Sequence, residues 1–169
     1  MRNNKILLTY LGVVAIVVAF GWFLFNSSNV DPATLPGEAV SVLNQEHIAQ
    51  GSFDHPEYNS NPPTSGWHWP QPAEWGIYEQ SPADEQLVHN LEHGGIWISY
   101  QPGADEQVVE QLRDFARRYR KVIVAPREAN DSAIALAAWG RLQKLETYNE
   151  ESIIEFIEAF YDKGPEKVD

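Results

Sequence analysis

The sequence predicts an α/β protein: one small α/β sandwich on a β-α-β-β-α core, preceded by an irregular Pro/Trp/His-rich half and an N-terminal transmembrane helix. Three observations predict it. Short β-branched apolar runs lie between turn residues in the C-terminal half. Apolar positions recur at helical spacing between those runs. One long uncharged run stands near the start of the chain.

Gly95-Ile96-Trp97-Ile98-Ser99-Tyr100, bounded by Gly94 and Pro102, has the length and β-branching of a buried strand. Pro102-Gly103 is a turn signal. From Asp105 to Arg120, Val108, Val109, Leu112, Phe115, Ala116 and Tyr119 make one helical face. Acids open that stretch and Arg117, Arg118 and Arg120 close it, in the sense the helix dipole favours. Lys121 to Ala125 is a second strand, closed by Pro126, and Ala133 to Trp139 a third; Leu142 to Leu145 extends the sheet after Gly140. Asn149 to Lys163 is a closing helix, stopped by Gly164-Pro165. The first two strands are expected to be parallel, joined by a crossover through the helix, with the third forming a hairpin back antiparallel on the second. This order resembles part of a thioredoxin-like or ferredoxin-like layer.

Residues 6–25 carry no charge, and at 1.5 Å per residue they span about 30 Å, the thickness of a bilayer core. Arg2 and Lys5 precede the run and Asp31, Glu38 and Glu46 follow it, which keeps residues 1–5 in the cytoplasm and the rest outside. The run is long for a signal peptide, and Phe25-Asn26-Ser27-Ser28-Asn29 is a poor cleavage site, so a retained single-pass anchor is expected. Residues 26–39, with two prolines, read as a linker, 40–163 as the extracytoplasmic α/β domain and 164–169 as a tail.

Charge and sulfur exclude whole classes. Of 12 basic residues two precede the run, so 10 remain against 24 acidic ones, a net of −14 outside. Such a surface does not neutralise phosphates, which excludes a nucleic-acid binder, and it stands off anionic lipid. With no Cys, and Met only at position 1, disulfides, thiolate metal sites and thiol chemistry are excluded.

All five histidines fall within residues 47–93. In Val88-His89-Asn90-Leu91-Glu92-His93 the two histidines are four apart, so on a helix over 85–93 they share a face and can hold one divalent cation. Glu92 lies one residue off that face. His-x-x-Glu-His is also the spacing of inverted zinc peptidases, in which Glu92 would be the general base. Gly94-Gly95 ends such a helix at once, which argues against an enzyme. In Asn61-Pro62-Pro63-Thr64-Ser65-Gly66-Trp67-His68-Trp69-Pro70 the prolines fix an irregular loop that presents His68, a natural third imidazole. His47 is a fourth candidate, and His55, before Pro56, is given no role. Ligation by nitrogen alone favours Zn or Cu(II). In this reading His47, His68, His89 and His93 are the metal ligands, and Glu92 orients an imidazole from outside. The alternative is a metal-free binding module in which Trp67, Trp69, Trp75 and Tyr78 form a platform for cell-wall glycan or a membrane partner.

The motifs together resemble a bacterial and archaeal family of membrane-anchored extracytoplasmic proteins of unknown function. Its pattern is a His, then Pro-Pro-Thr-Ser-Gly-x-His-x-Pro, a Gly-x-Tyr step, and Val-His-x-Leu-Glu-His-Gly leading into an apolar strand and Tyr-x-Pro. Here these are His47, Pro62 to Pro70, Gly76-Ile77-Tyr78, Val88 to Gly94 and Tyr100-Gln101-Pro102. The likeness covers about residues 45–160. It implies an anchored outer domain of α/β type and supplies no activity.

Overall fold

A computed structural model describes residues 16–18, 21–22 and 34–166. The chain divides into two compact units, residues 1–35 and 36–169. In the first, Ile16, Val17, Val18, Gly21 and Trp22 are helical, and all but Gly21 are large apolar side chains left exposed. The rest of the expected 6–25 span, residues 1–5 and most of the linker lie outside the described residues. Among the described residues no helix is long and apolar enough to cross a membrane.

The second unit is α/β. Its strands are β1 (Glu38–Ala39), β2 (Gly76–Ile77), β3 (Ile96–Tyr100), β4 (Val122–Pro126), β5 (Ile134–Ala138) and β6 (Arg141–Leu145). Its helices are α1 (Asp84–Glu92), α2 (Glu106–Arg118) and α3 (Glu150–Phe160). One mixed sheet runs in the order β1-β6-β5-β3-β4-β2. The expected parallel pair is present, with Ile96 opposite Val122 and Tyr100 opposite Pro126. The parallel strands are direct neighbours, so the βαβ unit is not split by an inserted strand, as a ferredoxin-like layer requires.

Three expectations need correction. The third strand is antiparallel, but it pairs with β3 and not with β4, from which the chain has just come. The cause is the return loop: Arg127 N–H donates to Tyr100 C=O (2.8 Å) and Gln101 N–H to Ala133 C=O (3.0 Å), which lays the chain across the end of β3. The far edge of β4 is held by β2. Second, the linker does not run to residue 39, because Glu38 and Ala39 pair with Leu142 and Arg141 at the sheet edge. Third, α3 ends at Phe160 and not at Lys163: Asp162 has φ 60° and its N–H donates to Gly94 C=O (2.8 Å), turning the chain away.

Side chains alternate across the sheet and build two cores. Ile96, Ile98, Val122, Val124, Ile134 and Leu136 face α2 and α3, which contribute Val109, Leu112, Phe115, Ile153, Phe156 and Ile157. Trp97, Ile123, Ala125 and Ala137 face the other way, onto Leu87 and Leu91 of α1 and Ala73. At about 1.5–3 kcal/mol for each large apolar side chain buried, these two layers hold the sheet and fix α1 on its second face. Arg127 ties the second layer to the strand ends. Its guanidinium takes both Asp84 oxygens (3.0 and 2.7 Å), also donates to Asn61 and Asn130, and lies over the Trp97 ring.

Candidate metal centre

Because Leu87 and Leu91 point α1 at the sheet, the opposite stripe, Glu85, His89, Glu92 and His93, faces the irregular half, and all four are buried. The loop over them is laced down at several points. Asn90 exchanges two 2.9 Å hydrogen bonds with the Ala73 backbone, and Trp69 N–H donates to Glu85 C=O. His47 arrives by a parallel bridge: His68 N–H donates to Glu46 C=O (3.1 Å) and Ile48 N–H to His68 C=O (2.9 Å). Three of the four expected histidines therefore come together from separate stretches of chain. His47, His68 and His89 offer ligand atoms that all lie within 4.8 Å of one another. Tetrahedral ligation at about 2.0 Å per bond needs roughly 3.3 Å, so the widest pair must close in by about an ångström and a half.

The outer nitrogens determine what the inner ones can do. His68 Nδ1 sits 2.7 Å from Gly66 C=O, and His89 Nδ1 sits 2.6 Å from Trp69 C=O. A carbonyl only accepts, so each Nδ1 carries the proton and each neutral ring turns an Nε2 lone pair inward. That is the tautomer a metal-ligating histidine needs, fixed from behind by backbone. His89 is also held neutral: burial, opposed by the Trp69 carbonyl and helped by the imidazoles of His93, His68 and His47, lowers its pKa to about 4.

Glu92 does not stand behind an imidazole, as the sequence led us to expect. Its Oε2 lies on the inner side, 3.0 Å from His68 Nε2 and 3.9 Å from His47 Nε2. The missed signal was the i,i+3 relation to His89, which puts two residues on one helix face as well as i,i+4 does. A carboxylate oxygen facing an imidazole lone pair at 3.0 Å requires a proton or a cation between them. Bonds of about 2.0–2.2 Å meeting at 90–109° span roughly 2.9–3.4 Å, which accommodates a metal.

His93 joins the group through His89 alone, with the two Nε2 atoms 2.6 Å apart. Since His89 is protonated at Nδ1, His93 donates from Nε2 in the neutral pair. The cluster opens on one side to a cleft of about 370 Å³ lined by Gln45, His47, Glu92, Pro165 and Glu166, with His47 its half-exposed member.

The remaining candidates fall elsewhere. His55 binds Glu85 (3.0 Å) and Pro56 C=O (2.8 Å), away from the cluster. Of the aromatic platform, Trp69 is buried with its Nε1 on Ser52 C=O (2.7 Å), and Trp75 and Tyr78 are half-buried against the second core. Trp67 is half-buried.

No curated protein and no solved structure matches the chain. Residues 52–169 match a family model described as "Protein of unknown function (DUF3105)", a stretch that takes in His68, His89, Glu92 and His93 and begins after His47. With well over half its length inside that match, the chain belongs to the DUF3105 family.

Proposed function

We propose that the domain binds one divalent metal ion, Zn(II) or Cu(II), through Nε2 of His47, His68 and His89, with Glu92 as a carboxylate ligand and His93 alongside. The observation that carries this reading is the pair of Nδ1–H to carbonyl anchors, at Gly66 and Trp69, which leave the Nε2 lone pairs of His68 and His89 inside the cluster, that of His68 against the Glu92 carboxylate. Electrostatics supports it, since the chain has no Lys or Arg from residue 6 to residue 112, and the half that carries the histidines attracts cations and repels anions. The closeness of Glu92 to His68 favours ligation over the general-base role that a hydrolase would give it. The test is metal content. The full chain reloaded with Zn(II) or Cu(II) is expected to hold about one equivalent at neutral pH and to lose it below about pH 6 as imidazoles protonate. His68→Ala with His89→Ala is expected to hold none; an unchanged metal content in that variant defeats the reading.

The proposed setting is extracytoplasmic, on a single-pass anchor formed by residues 6–25. Support comes from the uncharged run, from Arg2 and Lys5 before it, and from the exposed helical side chains of Ile16, Val17, Val18 and Trp22. Protease added to intact cells is expected to remove the C-terminal domain. The thioredoxin-like reading of the core rests on the unsplit βαβ unit followed by two antiparallel strands and a helix; without Cys, thiol redox chemistry does not come with it.

A further inference from the structure

Beyond α3 the described residues stay on the domain. Residues 161–166 fold back as a strap onto the end of α1. Asp162 N–H donates to Gly94 C=O (2.8 Å), and Glu166 N–H to Glu92 C=O (3.1 Å). Lys121 clamps the junction: its Nζ donates to His93 C=O (3.2 Å) and pairs with Asp162. The approach is close enough to demand glycine on both sides. A Cβ on Gly164 would meet Glu92 O at 2.1 Å, and one on Gly94, which has φ +78°, would meet Asp162 Cα at 2.8 Å. The strap is thus seated on the backbone that carries Glu92 and His93.

This seating brings Glu166 to the outer edge of His93. His93 Nδ1 is buried and makes no hydrogen bond, and Glu166 Oε2 stands 3.9 Å from it on a side chain that is 59% exposed. His68 and His89 have carbonyls behind them, whereas His93 has this carboxylate. We infer that Glu166 is the positioning residue that makes His93 a ligand. By accepting a hydrogen bond from Nδ1, it holds the His93 proton on the outer nitrogen, so that Nε2 turns a lone pair toward the ion instead of a hydrogen toward His89. A rotation of the Glu166 side chain by about an ångström closes the contact. The ring proton exchanges through solvent at the cleft, so no other reactant is needed.

The inference rests on the metal reading above, and its test separates the two. The full chain, labelled with ¹⁵N-histidine and loaded with Zn(II), is compared with Glu166→Ala and Glu166→Gln. Wild type is expected to show His93 protonated at Nδ1 with Nε2 on the metal. Glu166→Ala is expected to lose that signature and bind Zn(II) roughly tenfold or more weakly, the usual cost of removing a partner behind a ligand. Glu166→Gln, which keeps an accepting oxygen, is expected to retain both the signature and an affinity within about threefold of wild type, a rescue that a merely structural role would not show. If wild type binds Zn(II) and Glu166→Ala matches it in affinity and in the His93 tautomer, the strap has no such role and the metal reading stands. If wild type binds no metal, the metal reading falls and this inference falls with it.

Discussion

α1 and α2 are both short helices laid on the same sheet, yet they have little else in common. α2 buries Val109, Leu112 and Phe115 and leaves its other side to water, where Arg113 and Arg117 pair with exposed acids. α1 is buried on both sides. Its apolar face meets the sheet, and its polar face, Glu85, His89, Glu92 and His93, lies under the Pro- and Trp-rich loops. A helix like α2 is stabilised by transfer of apolar surface, which is indifferent to partners. A helix like α1 is stable only if every buried polar group is matched, and unmatched ones cost about 1–3 kcal/mol each. The first arrangement builds a scaffold. The second builds a site, because matched polar groups held in fixed positions are also what a cation requires.

The difference predicts that stability and binding can be broken separately. Phe115→Ala, in the fully buried layer under α2, is expected to cost about 3–5 kcal/mol in urea denaturation while leaving metal stoichiometry at one. Loss of metal binding in folded Phe115→Ala protein would show that the two layers are not independent. Arg127 ties the site's layer to the end of the sheet, since it reaches from the end of β4 to Asp84 at the start of α1 and to Asn61 in the loop. Arg127→Ala is expected to cost about 3 kcal/mol, the lower end for breaking a buried pair because Asp84 is 27% exposed. A loss under about 1 kcal/mol in the same experiment would mean that apolar packing alone joins the halves. Saturating metal is expected to add about 2.7 kcal/mol to wild-type stability at a hundredfold excess over Kd, and nothing to His68→Ala with His89→Ala. Equal stabilisation of the two proteins would place the ion elsewhere.

The same contrast explains what could be read from the sequence. The elements from β3 to α3 carry short apolar runs between turn residues, or helical patterns with caps such as Asp105 and Asn149, so physics acting over a few residues placed them. β1 and β2 are two residues each and too short to show a period. The pairing of β5 with β3 was decided by the polar loop of Arg127 and Asn130, which no periodicity encodes. At the site, His89 and His93 were legible from their spacing, and His68 from its rigid loop. Their protonation was not, because it depends on the carbonyls of Gly66 and Trp69 being nearby in space. Glu166 was illegible for the same reason: it reaches His93 only because α3 stops early and two glycines let the strap down.

The smallest effect lies beside the cluster, in His55. Burial works against its protonated form, but the Pro56 carbonyl and the Glu85 carboxylate outweigh burial and leave its pKa above the ordinary 6.5. The folded state therefore binds this proton more tightly than the unfolded chain does. Its contribution to stability is complete below pH 6.5 and is lost as pH rises through the raised folded value. His89 has the opposite sign. With a folded pKa of about 4, it makes the metal-free fold lose stability as pH falls from 6.5 toward 4. Glu85→Gln removes the partner of His55 and leaves the imidazoles around His89 in place. In metal-free protein, the melting temperature of Glu85→Gln is expected to lie furthest below wild type under pH 6.5, and the gap is expected to narrow as pH is raised. A gap that is flat across this range, or that widens toward alkaline pH, would show that Glu85 holds the loop by its hydrogen bond alone and that the His55 charge plays no part.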